Sequence, residues 1–130
     1  MYEAPGSCSF NKILMPYTTE IERESFRDAV YVKHIDAPRL LTVHSDAFRR
    51  SGLQTIYMPN VKWIHSRAFK DTHHLQSIGN TPKLNNANDI GENAFEYSSL
   101  PIMNLPPQMH KWWHSVRGQK LSGTPLENAV

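Results

Sequence analysis

Hydrophobic residues recur along the chain in two short phrases that take turns. The first runs aliphatic, three mostly polar, small, phenylalanine, and is written four times: Ile21-Glu-Arg-Glu-Ser25-Phe26, Val43-His-Ser-Asp-Ala47-Phe48, Ile64-His-Ser-Arg-Ala68-Phe69 and Ile90-Gly-Glu-Asn-Ala94-Phe95. The second has apolar residues at its first, fourth and sixth positions and ends on proline. It reads Phe10-x-x-Ile13-x-Met15-Pro16, Val32-x-x-Ile35-x-Ala37-Pro38, Leu53-x-x-Ile56-x-Met58-Pro59 and Leu100-x-x-Met103-x-Leu105-Pro106, with Leu75-x-x-Ile78 as a shorter copy. Pro16, Pro38, Pro59, Pro82 and Pro106 stand 22, 21, 23 and 24 residues apart, and a fixed period in that range marks stacked repeats. Phe26, Phe48 and Phe69 each fall 10 residues after a proline, whereas Phe95 falls 13 after Pro82, so the fourth unit holds 3 extra residues, within Asn85-Asn86-Ala87-Asn88.

In the second phrase the fourth and sixth positions alternate with a polar residue, the pattern of a short strand with one buried face. The first phrase predicts a chain reversal or a single helical turn that drops its phenylalanine into the core. Its small residue (Ser25, Ala47, Ala68 or Ala94) suits a place where successive turns pack too closely for a larger side chain. Proline after each strand cannot donate to a ladder and disfavours helix before it. One unit cannot bury both phrases alone, so units stack, with equivalent strands side by side at about 4.8 Å. The predicted fold is a repeat solenoid, mostly short parallel β-strands with turn or single-turn helical segments. It spans residues 1–116: a partial unit at 7–16, repeats at about 17–38, 39–59, 60–82 and 83–106, and a partial capping unit at 107–116. In that last unit Met109-His-Lys-Trp112-Trp113 echoes Asn60-Val-Lys-Trp63-Ile64 before the rhythm stops, and a polar tail follows at 117–130.

The segment Ile64-His-Ser-Arg-Ala-Phe69-Lys-Asp-Thr-His-His-Leu75-Gln-Ser-Ile78 resembles the leucine-rich repeat of the BspA type, whose unit runs I-G-x-x-A-F-x-x-C-x-x-L-x-x-I-x-(I or L)-P. Ile90-Gly-Glu-Asn-Ala-Phe95-Glu-Tyr-Ser-Ser-Leu100 is a closer likeness, and the resemblance covers roughly Ser7 to Ser115. It implies adhesion or protein recognition, often at cell surfaces. The family's cysteine column falls on Ala29, Ser51, Thr72 and Ser98, and Cys8 of the leading partial unit lands in the same column. Cys8 is therefore read as a packed core thiol and not as a nucleophile, which would need a base and a depressed pKa.

Composition narrows the function classes. The 130 residues suit one domain, and 14 Lys plus Arg against 12 Asp plus Glu leave a formal +2, far from the strong charge of most nucleic-acid binders. No stretch approaches the roughly 18 apolar residues of a membrane span. Met1 to Phe10 has neither a basic nor an apolar signal region, so no membrane insertion is expected, and a place inside the cell or in a viral or organellar assembly is favoured over secretion. A single cysteine permits no internal disulfide and no cysteine-based zinc site.

Candidate chemistry is sparse. His73 and His74 are adjacent and point to opposite faces if extended, His44 and His65 share one polar column, and no Asp, Glu or Cys stands at ligand spacing along the chain, so no metal and no cofactor are expected. No nucleophile elbow, P-loop or dinucleotide fingerprint is present, and the chain is read as non-enzymatic, with no small-molecule substrate. From Arg39 to Lys83 seven basic residues face two acidic ones, a local +5. Arg49, Arg50, Lys62, Arg67 and Lys70 form the alternative, a nucleic-acid-contacting stripe. The favoured reading is a non-catalytic protein-binding or structural module within a larger assembly, its partners other protein subunits. Strand alternation points Lys12, His34, Thr55, Ser77 and Ile102, with Leu14, Asp36, Tyr57, Gly79 and Asn104, away from the core. Of these, His34, Asp36, Thr55, Tyr57 and Ser77 are the candidate contacts, together with Trp112 and Trp113, since aromatic side chains commonly anchor interfaces.

Overall fold

The computed structural model describes residues 12–112; Cys8, Trp113 and the 117–130 tail lie outside them. Among the described residues there are six short strands: β1 (Lys12–Leu14), β2 (Glu20–Ile21), β3 (His34–Asp36), β4 (Thr42–Val43), β5 (Thr55–Tyr57) and β6 (Trp63–Ile64). The odd-numbered strands come from the proline-terminated phrase and form one parallel sheet, β1-β3-β5. The even-numbered strands open the phenylalanine phrase and form a second, β2-β4-β6, which the sequence reading did not anticipate. Register follows the repeat: Ile13, Ile35 and Ile56 are partners in one ladder, Ile21, Val43 and Ile64 in the other. Single bridges, Thr55 to Ser77 and Ile64 to Ile90, carry both ladders one repeat further.

Between the ladders the phenylalanine phrase is a chain reversal, as expected, built from successive tight turns. Two residues before and two after each phenylalanine, the backbone is left-handed: Glu24, Asp28, Asp46, Arg50, Arg67, Asp71, Asn93 and Tyr97 all have φ between 58° and 63°. That conformation costs an L-residue about 1–2 kcal/mol, and hydrogen bonds in two directions hold it. The amides of Phe26, Phe48 and Phe69 donate to Ala47, Ala68 and Ala94 of the next repeat at 2.7, 2.8 and 2.8 Å. The amides of Ser25, Ala47, Ala68 and Ala94 turn back within their own repeat, to Glu22, His44, His65 and Gly91, each at 3.2 Å. Alternate amides thus serve the turn and the stack, and backbone donors that core packing would otherwise strand are satisfied.

The core lies between the ladders and the turns. Phe48, Phe69 and Phe95 are fully buried, and the four phenylalanine rings from Phe26 onward stack at 5.2, 5.1 and 5.1 Å, within 6° of parallel. Ala47, Ala68 and Ala94 are buried with them, as the close-packing reading of the small position expects, whereas Ser25 at the same position of the first full repeat is exposed. In the cysteine column Ser51, Thr72 and Ser98 are buried. Their hydroxyls stay bonded to local backbone: Thr72 Oγ1 donates to Phe69 O at 2.7 Å, and the Ser51 and Ser98 hydroxyls accept from the amides of Leu53 and Leu100.

The fourth repeat departs from the expected rhythm twice. Its extra residues form a 3-10 turn, Ala87–Asp89, and Asp89 Oδ2 accepts from the amides of Asn85 and Asn86 at 3.2 and 3.1 Å. The strand expected within 100–106 does not form; Ile102–Asn104 is a 3-10 turn. The reason is Pro101. In earlier repeats this position donates to the preceding ladder, Gln54 N to Lys33 O and Gln76 N to Gln54 O, both at 2.7 Å, and proline has no such donor. The Asn104 side chain satisfies the stranded carbonyl instead, its Nδ2 lying 2.6 Å from Gln76 O. The final described segment, Pro107–Trp112, is a 3-10 helix rather than a copy of the loop and strand at 60–64. Pro107 suits a first helical position, and Met109 is buried beneath it.

Candidate functional site

Alternation along β1, β3 and β5 turns Ile35 and Ile56 inward and leaves their neighbours outward. His34, Asp36, Thr55 and Ser77 are half-buried and Tyr57 is exposed. With Lys12 they line one shallow groove of about 410 Å³. Register sets its internal bonds: His34 and Thr55 are ladder partners, and His34 Nδ1 lies 2.8 Å from Thr55 Oγ1. Ser77 Oγ accepts from Gly79 N at 3.0 Å. A second hollow of similar size, about 410 Å³, shares Ser77 and Gly79 and continues past Asn80 to Met103, Asn104 and His110. The structure therefore gathers five of the seven predicted contact residues on one continuous surface.

The chemistry of this surface is mixed. One ammonium (Lys12), one carboxylate (Asp36), hydroxyls, an imidazole and an exposed phenol stand side by side. Such a surface suits hydrogen bonding and aromatic contact with another protein.

Trp112 is elsewhere. It closes the Pro107–Trp112 segment, packs half-buried against the core, and has Lys111 Nζ 5.3 Å from its ring centroid. Trp113 lies outside the described residues.

Four of the five basic candidates, Arg49, Arg50, Arg67 and Lys70, sit on the phenylalanine turns and are answered by carboxylates. Arg50 Nε is 2.8 Å from Asp28 Oδ1. Lys70 Nζ is 3.3 Å from Glu96. Arg49 and Arg67 approach Asp46 at 3.5 and 3.6 Å, and Arg49 also approaches Asp71 at 3.9 Å. The hydrogen bond from Arg50, helped by its charge, holds the Asp28 carboxyl below the usual carboxylate range, and the same bond raises Arg50. Lys62 lies by the ring of its neighbour Trp63. Counting charge along 39–83 missed Asp28 and Glu96, which lie outside that stretch in sequence and beside it in space.

One group escaped the sequence reading. Donor atoms of Glu20, Glu22 and His44 all lie within 4.8 Å of one another. His44 Nε2 is 2.8 Å from Glu20 Oε1, and the His44 ring stacks on His65 at 5.0 Å with 10° between planes. The signal was register, not spacing: Ile21 and Val43 are equivalent residues, so their neighbours meet.

Comparison with known proteins gives one match. The family profile described as BspA type leucine rich repeat region matches residues 3–115, in six copies. No curated protein and no solved structure matches the chain. Among the described residues no helix is long and apolar enough to cross a membrane.

Proposed function

The chain belongs to the BspA-type leucine-rich-repeat family, and from that premise we propose that it is a protein-binding or structural module with no chemistry of its own, a component of a larger assembly. Repeats of this kind commonly serve protein interaction, and stacking them into one short solenoid aligns equivalent side chains into an extended contact surface. The observation that carries the reading is the groove along β1, β3 and β5, where His34, Asp36, Thr55, Tyr57 and Ser77 converge. Leu14, Tyr17, Val30 and Tyr31 are exposed as well and add apolar side chains to the surface.

The test is site-specific photo-cross-linking in the native source. A cross-linking residue at Tyr57 or Asp36 is expected to capture a defined protein. The same residue at exposed Arg23, on a phenylalanine turn, is expected to capture none. Capture from Arg23 with none from Tyr57 and Asp36 would move the interface off the groove.

A further inference from the structure

The even-numbered ladder carries a second constellation. Glu20 and Glu22 flank buried Ile21 and share its outward side, because side chains alternate along an extended chain. The pairing of Ile21 with Val43 sets His44, the residue after Val43, beside Glu22, the residue after Ile21. Two carboxylates from one repeat and an imidazole from the next thus converge within 4.8 Å. The stack on His65 at 5.0 Å fixes the plane of the His44 ring, so its orientation is set by the fold.

The charge at this place is unbalanced. On the neighbouring turns, carboxylates meet guanidinium or ammonium groups: Glu24 meets Arg27, Asp28 meets Arg50, Asp46 meets Arg49 and Arg67, and Glu96 meets Lys70. Among the described residues Glu20 pairs only with His44, and Glu22 with no Lys or Arg. Two carboxylates beside an imidazole nitrogen form a donor set suited to a divalent cation.

The geometry points to a divalent metal site of the zinc type. His44 Nε2 and one oxygen each of Glu20 and Glu22 are its ligands, with the fourth position left to water. Zinc takes nitrogen and carboxylate oxygen at about 2.0–2.2 Å, which puts tetrahedral ligands about 3.4 Å apart. From their present 2.8 Å Glu20 and His44 separate slightly, a movement that an exposed glutamate side chain makes freely. The imidazole selects zinc over magnesium or calcium, which prefer oxygen alone. An ion held here ties two consecutive repeats together, so binding stabilises their pairing.

Isothermal titration of the full, untagged chain with Zn²⁺ alone at neutral pH tests the site. The expected result is one ion per chain, with affinity weakened about tenfold or more in Glu22→Gln and lost in His44→Gln. The His73→Gln/His74→Gln double variant is expected to bind as the unmodified chain does, and Mg²⁺ to bind far more weakly. Undiminished binding in His44→Gln, loss in the His73/His74 variant, or equal binding of Mg²⁺ would each overturn the assignment. Nuclear magnetic resonance of the unmodified chain decides the same point if a variant fails to fold. The His44 imidazole signals shift with Zn²⁺ if it is a ligand, and unmoved signals sink the proposal.

Discussion

Phe69 is stacked on both faces, on Phe48 and on Phe95, each at 5.1 Å, and exposes no surface. Truncation removes its burial and both ring contacts, and the regular spacing of the stack gives its neighbours little freedom to collapse into the hole. Phe69→Ala is expected to cost about 3–5 kcal/mol in denaturant unfolding; a loss under about 1 kcal/mol would take the phenylalanine column out of the core. Tyr97 poses the opposite case, an exposed residue held at φ 58°. Glycine adopts that conformation without the penalty of about 1–2 kcal/mol carried by an L-residue. Tyr97→Gly should therefore be neutral or stabilising by up to about 1 kcal/mol, whereas Ser99→Gly, at an exposed position without positive φ, should destabilise by about 0.5–1 kcal/mol. Thermal or denaturant unfolding of the two variants separates these signs. The phenylalanine column was legible in the sequence because one large residue recurred at one period. The left-handed positions were not: Asp28, Asp46, Asp71 and Asn93 suit them, but Arg50, Arg67 and Tyr97 carry no side-chain hint of backbone sign.

At the scale of elements, the odd-numbered ladder was readable and its partner was not. Three residues with a buried centre, as in Thr55–Tyr57, leave an alternation in the sequence, while the two-residue strands β2, β4 and β6 are too short to show one. The periodic prolines marked the repeat, but the proline that ends the odd ladder is Pro101, which stands outside that series. If its missing donor is the cause, Asn104 has a measurable role. Asn104→Ala is expected to cost about 0.5–1.5 kcal/mol by leaving Gln76 O unpaired. Pro101→Gln restores a backbone donor, and in that background the Asn104 change should cost little. A double-mutant cycle with no coupling between the two positions would refute the account. Ion pairs across repeats add a pH signature. Asp28 titrates below its ordinary value because of Arg50, so its contribution is present above about pH 3.9 and fades as the pH falls through the lowered value. The stability difference between the unmodified chain and Arg50→Gln should accordingly be largest near neutrality and shrink in acid. A difference that holds constant into strong acid would assign Arg50 a role other than pairing with Asp28.

For the whole molecule, what matters is that each repeat bonds to the next through equivalent atoms. Charge along the chain is redistributed by it: residues 39–83 carry +5 in sequence, yet Arg50 and Lys70 meet Asp28 and Glu96 only after stacking. Stability in such an array is a sum of repeat and neighbour terms, and opening can start at one place without the rest. Two amides make the comparison clean, since Phe26 N and Phe48 N donate to equivalent alanine carbonyls at 2.7 and 2.8 Å. Their bond geometry is the same, but the Phe48 ring is fully buried between two others, whereas Phe26 is half-buried and stacked on one described ring. Native-state hydrogen exchange should then protect Phe48 about tenfold or more over Phe26, a difference of about 1.4 kcal/mol in opening free energy. Equal protection would mean that the described repeats open only together, as one cooperative unit. The neighbour sum would then give way to a single transition, and the cost of Phe69→Ala would be felt undiminished at Phe26.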